Sequence, residues 1–189
     1  WDVQDQNPAS DADLWIAYTL YEAARLWEVP DYARLGEQVL ANVQSKVVVE
    51  TEAGRTLLLP APDGFTLSNQ RYRLNPSYIP EFQLRYFAKV QPAGPWAALL
   101  DSHNQLLIAA VGTSGLAPDW LIADDTHITF DDEVQPVGSY DAIRVYLWAG
   151  MTPDSETLRA LTGMQRLLTG GDRPPEKVNI QSGEVISTG

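Results

Sequence analysis

The sequence predicts a mainly helical domain whose helices come in pairs. Apolar residues recur at helical spacing through NPASDADLWIAYTLYEAARLW, residues 7–27, and a second helical segment starts shortly afterwards at Pro30. Two β-rich runs flank Ala53-Gly54 and predict a small hairpin after these helices. An α+β domain is the alternative that the same pattern leaves open.

The first helix is expected from about Asp11 to Trp27. Ser10 stands in the N-cap position, and Asp13 three residues later approximates a capping box. Because they recur at helical spacing, the residues expected on the buried face are Ile16, Leu20, Ala23 and Trp27.

Five further helices are expected, over residues 30–44, 77–90, 95–111, 139–151 and 155–168. Residues 61–73 predict a loop with a short strand, and residues 112–138 a long irregular stretch that contains the short strand HITF. The tail from Gly170 is rich in Gly and Pro, with no closing helix. Long loops in a compact domain usually carry function.

Composition limits the possible partners. The 189 residues fit a single domain, residues 1–189, and the net charge of −12 argues against nucleic acid and anionic membranes, which need clustered Lys and Arg. A neutral polysaccharide is compatible with this charge. The absence of cysteine excludes disulfides and thiol chemistry, and no apolar run predicts membrane insertion. Because the chain begins at Trp1 and ends on loop-type residues, we expect a piece of a longer protein.

Two aspartates, Asp11 and Asp13, stand where the first helix begins. Carboxylates are favourable at the positive end of a helix, and this alone explains their position. In the functional alternative, a carboxylate at a helix end binds sugar hydroxyls or moves protons.

The segment GSYDAIRVYLW places Asp141 and Arg144 three residues apart on a predicted helix, a spacing that permits a salt bridge. A structural ion pair is the simpler interpretation. The functional interpretation uses the same contact, because a neighbouring arginine favours the ionised carboxylate that a general base requires. Tyr140, beside Asp141, is a candidate to face a substrate.

In LNPSYIPEF, Asn75-Pro76 predicts a turn that leads into a helix. Tyr78, near the start of that helix, is placed to aim its hydroxyl at a water or a carboxylate. The alternative is a buried tyrosine with one hydrogen bond.

Flat aromatic faces stack on sugar rings, but they also fill cores. Trp120, in the irregular stretch, is the best candidate for an exposed ring. By contrast, Trp15, Trp27 and Trp148 lie in helical stripes, where core positions are expected.

The acidic stretch APDWLIADDTHITFDDE does not predict a metal. Its paired aspartates are Asp124, Asp125, Asp131 and Asp132, whose spacing does not match a calcium loop. The two histidines lie in unrelated contexts and no nucleotide-binding glycine pattern is present. We therefore expect neither a metal nor a cofactor.

The segment ASDADLWIAYTLYEAARLW resembles the signature of glycoside hydrolase family 8, in which Ala-Ser/Thr-Asp-Gly/Ala-Asp precedes a helix ending in Trp or Phe. Thr19 and Tyr21 depart slightly from it. LNPSYIPEF and SYDAIRVYLWAGM resemble two further family segments, in the same order. With PPEKVN near the end, the chain is most similar to the members that accompany bacterial cellulose synthase. The resemblance spans essentially the whole chain.

This resemblance implies an (α/α)6 barrel, here a partial barrel of about six helices with small β-hairpins. It implies inverting hydrolysis of β-1,4-glucan, with Asp141 as general base, Asp11 binding the sugar at the scissile ring and Tyr78 holding the attacking water. The expected substrate-binding residues are Arg144, which orients the base, Asp13, Tyr140, Trp120 and Asn75.

The family's general acid is a glutamate that precedes the Asp11 motif, and no glutamate of this chain lies in a matching motif. The acid is therefore expected to be missing here, and a catalytically silent glucan-binding or structural fragment is the alternative function. The expected partners are β-1,4-glucan and the cellulose synthase machinery. The expected location is periplasmic or secreted.

Overall fold

The computed structural model describes residues 2–3, 5–130, 133–153, 155–169 and 173–189. These residues form seven α-helices and nine short β-strands. The helices are α1 (Ser10–Trp27), α2 (Pro30–Val47), α3 (Glu81–Val90), α4 (Trp96–Val111), α5 (Tyr140–Met151), α6 (Glu156–Ala160) and α7 (Gly163–Thr169). The strands are β1 (Val48–Glu50), β2 (Thr56–Leu58), β3 (Thr66–Leu67), β4 (Arg71–Leu74), β5 (Leu121–Ala123), β6 (Ile128–Thr129), β7 (Val137–Gly138), β8 (Pro175–Asn179) and β9 (Val185–Thr188).

Consecutive helices pack as pairs. The most extensive contact joins α1 to α2, and α3 packs against α4. At the first contact, a methyl group on Gly36 would lie 3.1 Å from the ring of Tyr21, so the two helices approach closely. Aromatic side chains join α1, α3 and α5 to one another, with Trp15 in contact with both Phe82 and Trp148.

The strands form three small antiparallel sheets. β1 and β2 pair around Gly54, whose φ of 81° suits a tight turn, so the predicted hairpin is confirmed. β3, β4, β5 and β6 form a four-stranded sheet that brings Leu74 opposite Leu121. β7, β8 and β9 form the third sheet, so part of the Gly- and Pro-rich tail is a hairpin. The two larger sheets flank the segments that carry the predicted site.

The predicted buried face of α1 is wrong. Leu14, Ala17 and Tyr21 are the buried residues, whereas Ile16 and Trp27 are 51% and 65% exposed. The helix is apolar on more than one side, and its buried side is the one that shares a core with Leu40 and Val43 of α2. Periodicity alone cannot choose between two apolar faces of one helix.

The predicted N-cap is also wrong. Ser10 is already inside α1, and its buried hydroxyl has no hydrogen-bond partner among the described residues. The backbone N–H of Ser10 donates instead to the carbonyl oxygen of Pro60 at 2.8 Å. The start of α1 is therefore attached to a distant loop.

Two predicted helices differ in extent. The helix expected from residue 77 begins at Glu81, after a 3-10 turn at Pro76–Tyr78, because Pro80 disfavours helical geometry in the residue before it. The helix expected over 155–168 is split into α6 and α7. At the break, the N–H of Gly163 donates to Gly115 O at 2.8 Å, a backbone approach that only glycines permit.

One face of α5 is apolar and exposed. It carries Ile143, Leu147 and Met151, four residues apart, each at least half exposed. This face is therefore only partly covered by the described residues. None of the helices formed by the described residues is long and apolar enough to cross a bilayer.

Candidate active site

Asp141 lies in the first turn of α5 and is held by two side chains. Asn75 Nδ2 donates to Asp141 Oδ2 at 3.0 Å, and Arg144 Nη2 donates to Asp141 Oδ1 at 2.6 Å. The carboxylate nevertheless keeps 29% of its side chain exposed. A carboxylate that is fixed in direction yet open to water has the geometry that a general base needs.

The turn Asn75–Ser77 supplies the first of these donors. Asn75 Oδ1 accepts from the backbone N–H of Ser77 at 3.0 Å and from the Ser77 hydroxyl at 2.6 Å. Both residues are buried. Since the amide oxygen is satisfied within the turn, its Nδ2 is oriented toward Asp141.

Ser77 links this turn to α5 and was missed by the sequence analysis. Its hydroxyl accepts from Arg144 Nη2 at 2.7 Å, and its carbonyl accepts from Trp148 Nε1 at 2.9 Å. The Asn-Pro-Ser sequence could have indicated the role of Ser77, because the side chain that begins an Asx turn commonly accepts from the N–H two residues later. Arg144 therefore bridges Ser77 and Asp141.

Tyr78 lies beside this network. The Arg144 guanidinium stands 5.9 Å from the centre of its ring. Burial raises the pKa of Tyr78, and the charges of Asp11 and Asp141 raise it further, while Arg144 lowers it. The structure thus brings the carboxylates of α1 and α5 within electrostatic reach of one phenol, although they are far apart in sequence.

Asp11 has a different setting from Asp141. It lies in the first turn of α1, and its Oδ1 accepts from the N–H of the following residue, Ala12, at 2.8 Å. The segment before it is fixed by paired hydrogen bonds between Asn7 and Asp63. The backbone is held, while the carboxylate remains available to a ligand.

Trp120 is half-buried rather than fully exposed. Phe65, which the sequence analysis did not single out, stacks on it with an interplanar angle of 6° and ring centres 5.9 Å apart. The ring of Tyr78 lies 6.2 Å away. The three rings form an aromatic wall next to the Asp141 network.

Two predicted site residues lie outside this network. Asp13 lines a groove between α1 and α2 that also contains Lys46. Burial raises the pKa of Asp13, and the neighbouring Lys46 lowers it. Tyr140 is exposed and its hydroxyl donates to Glu176 on β8, which lowers the pKa of Glu176. Their roles in substrate binding stay predictions.

Within the described ranges, no group of three or more His, Asp or Glu side chains is placed to hold a metal ion. Asp131 and Asp132 lie outside those ranges. Asp124 accepts from the N–H groups of Thr126 and His127, and these bonds lower the pKa of Asp124 to about 2.

The protein-family comparison decides the relationship. The model of glycosyl hydrolases family 8 matches residues 1–189. The chain belongs to glycosyl hydrolase family 8. The resemblance inferred from the three sequence motifs is therefore confirmed.

Curated family 8 relatives are named endoglucanases. The chain is 42% identical to the endoglucanase of Xanthomonas axonopodis pv. citri (strain 306), over 100% of this chain and 50% of that protein. It is 36% identical to the endoglucanase of Escherichia coli (strain K12), over 100% of this chain and 52% of that protein. The chain thus spans about half the length of the curated relatives it matches.

Solved family 8 structures have the same fold. The endo-1,4-D-glucanase from Vibrio fischeri ES114 superposes with a TM-score of 0.90 at 38% identity, over 99% of this chain and 55% of that chain. The endo-β-1,4-glucanase from Acetobacter xylinum gives a TM-score of 0.81 at 27% identity, over 99% and 58%. The chain is accordingly a mainly helical, partial (α/α)6 barrel, and the predicted fold class is confirmed.

Proposed function

We propose that this chain is the base-bearing part of an inverting endo-1,4-β-glucanase that hydrolyses β-1,4-glucan. The observation that carries the proposal is the Asp141 carboxylate, fixed by Asn75 and Arg144 and still open to water. Membership of family 8 and the endoglucanase relatives support the substrate class.

In the proposed mechanism, Asp141 takes a proton from a water that attacks the anomeric carbon. An inverting glycosidase places its base and its acid roughly 6.5–9.5 Å apart, which leaves room for that water. The phenol of Tyr78 helps to hold the water, Arg144 orients Asp141, and Asp11 binds hydroxyl groups of the sugar at the scissile bond. Trp120, backed by Phe65, offers a flat face on which a glucose ring can stack.

The proton for the leaving oxygen needs a second carboxyl group. We assign it to a glutamate outside these 189 residues. Several glutamates of the chain already have other partners: Glu81 is buried with Ser155 and Thr157, Glu133 pairs with Arg73, and Glu176 accepts from Tyr140.

The test measures the hydrolysis of soluble cellulose through the new reducing ends that it creates. It is run with the full-length gene product and with residues 1–189 alone. We expect activity from the former and none from the latter. Inactivity of the full-length product on β-1,4-glucan refutes the proposed function. Activity of residues 1–189 refutes the assignment of the acid, and Asp13 and Glu133 are then the first positions to substitute.

The second candidate function is that of a silent glucan-binding or structural piece, which the absence of an identified acid favours. Binding of cello-oligosaccharides by the full-length gene product without any hydrolysis would support it. Both candidate functions are compatible with the observed burial of the site residues. The reducing-end assay therefore has to separate them.

We further propose that the enzyme acts beside cellulose synthesis and export, in the periplasm or outside the cell, with the synthase machinery as partner. This rests on the similarity of the sequence, PPEKVN included, to the members that accompany cellulose synthase. Cell fractionation of the native host tests the location, and co-purification with tagged synthase tests the partner.

A further inference from the structure

A carboxylate from a distant segment caps the helix that carries Asp141. Asp119 lies just before β5, and its Oδ1 accepts from the N–H of Ser139 at 2.7 Å and from the N–H of Ala142 at 2.8 Å. Its Oδ2 accepts from the hydroxyl of Ser139. The first turn of α5, in which Asp141 is the second residue, is therefore attached to Asp119.

Ser139, the residue in the N-cap position of α5, does not cap the helix with its own side chain. A serine there ordinarily accepts from an amide of the first helical turn through its own hydroxyl oxygen. Ser139 makes no such bond, and its hydroxyl points to Asp119 as a donor. The direction in which α5 begins is consequently set by the segment 117–120 and not by the local chain.

The two segments also touch along their backbones. A methyl group on Gly138 would lie 2.3 Å from the carbonyl oxygen of Ala117, so this approach requires glycine. The N–H of Asp119 donates to Val137 O at 2.8 Å, and the N–H of Ala117 donates to the hydroxyl of Tyr146 at 2.9 Å. The segment thus holds α5 at its start and again further along the helix.

We propose that Asp119 is a positioning residue for the general base. By fixing the first turn of α5 it keeps Asp141 in register with Asn75 and with the attacking water. The next residue in the chain is Trp120, so one short segment sets both the base and the aromatic wall. The inference rests on the proposed function, because it concerns the base of that reaction.

The test compares Asp119→Ala with Asp119→Asn in the full-length gene product, measuring kcat and KM on soluble cellulose. Asparagine keeps an oxygen that accepts both N–H groups, and Asn and Asp are about equally good caps. We expect kcat to fall about 10- to 100-fold in the alanine variant, since a misplacement of about 1 Å can cost that much. We expect KM to change little, and the asparagine variant to keep kcat within about 3-fold of wild type.

Ser155→Ala is the matched control. Ser155 caps α6 by accepting from Leu158 N–H at 3.1 Å, and it has no contact with Asp141 among its described hydrogen bonds. It should lower Tm as Asp119→Ala does and leave kcat unchanged. If Asp119→Ala lowers Tm but keeps kcat within about 2-fold, Asp119 is a stability residue only and the inference is overturned.

Hydrogen exchange gives a readout that does not depend on activity. The amides of residues 139–143 should exchange faster in Asp119→Ala than in wild type, and at wild-type rates in Asp119→Asn. Equal rates in all three proteins refute the inference. An inactive wild-type protein refutes the proposed function instead, and the exchange comparison still decides whether Asp119 fixes α5.

Discussion

Asp11 and Asp141 both lie in the first turn of a helix, but the protein holds them differently. Asp141 receives bonds from Asn75 and Arg144, and the start of its helix is capped by Asp119. Within the described residues, Asp11 receives a side-chain hydrogen bond only from the N–H of Ala12.

The two settings suit two different functions, the activation of water and the binding of sugar hydroxyls. A base that activates water must point in one direction before the substrate arrives, because misorientation reduces the rate directly. A carboxylate that binds sugar hydroxyls must instead keep its acceptor sites free. Under the proposed function, we therefore expect substitution of Asp141 to lower mainly kcat and substitution of Asp11 to weaken mainly substrate recognition, and the two expectations can be tested separately.

The largest expected effect is that of Asp141→Asn in the full-length gene product. The amide keeps the shape of the side chain and loses the base, so kcat should fall about 10²- to 10⁴-fold. Binding of cello-oligosaccharides, measured by calorimetry, should stay within a few-fold of wild type.

Asp31→Asn is the control for this variant. Asp31 pairs with Arg34 at the start of α2 with the same three-residue spacing, and both side chains are 70% exposed. Its kcat should equal that of wild type. Retention of more than about a tenth of wild-type activity by Asp141→Asn would mean that another group is the base.

A smaller effect is expected for Asp11→Asn. Loss of a charged acceptor for sugar hydroxyls typically costs about 1.5–3 kcal/mol, so kcat/KM should fall about 10- to 100-fold. Asp13→Asn is the comparison variant, because Asp13 lines the groove with Lys46, whose lining does not include Tyr78. We expect a change of only a few-fold there, and equal losses in the two variants would extend the sugar site into that groove.

The smallest effect concerns the core behind the fixed carboxylate. His103 and Asn75 line the same small apolar cavity, and burial lowers the pKa of His103 from 6.5 to about 4. Between these values the unfolded chain binds a proton that the folded protein does not. The free energy of unfolding should therefore decrease as the pH falls, by about 2 kcal/mol from His103 alone between about pH 7.5 and pH 5.

Thermal unfolding at the two pH values measures this contribution. His103→Gln should lose less Tm on acidification than wild type. The comparison variant is His127→Gln, which removes the other histidine of the chain, an exposed side chain on the surface beside Asp124. An unchanged pH dependence in His103→Gln would show that His103 binds its proton over the same pH range in the folded protein as in the unfolded chain, which contradicts the prediction.

Local sequence signals predicted much of the fold. The bounds expected for α2, α4 and α5 lie close to those observed. The features that indicate them, such as Pro30 and the apolar spacing, depend only on residues within one or two helical turns. The predictions failed where a distant residue decides the outcome. The contact of Gly115 with Gly163 splits the last predicted helix, and the packing of α2 chooses the buried face of α1.

The candidate site shows the same division. Asp141 and Arg144 are neighbours on one helix, and their contact could be predicted from spacing. Asp119 could not be predicted as a cap, because it stands 23 residues before Ala142 and the intervening stretch has no regular pattern. Phe65 was missed for a similar reason, since its stacking on Trp120 depends on how β3, β4 and β5 pair.

The hydrogen bond from Asn75 to Asp141 has a consequence for the order of folding, because it closes a loop of 66 residues. The helix pair α1–α2 joins residues that are near in sequence, so its contacts cost little chain entropy and form early. The bond to Asp141 must wait until most of the intervening chain is in place. In refolding of the full-length gene product from denaturant we therefore expect helical circular dichroism to return before hydrolysis, with an interval in which the molecule is largely helical and catalytically inactive.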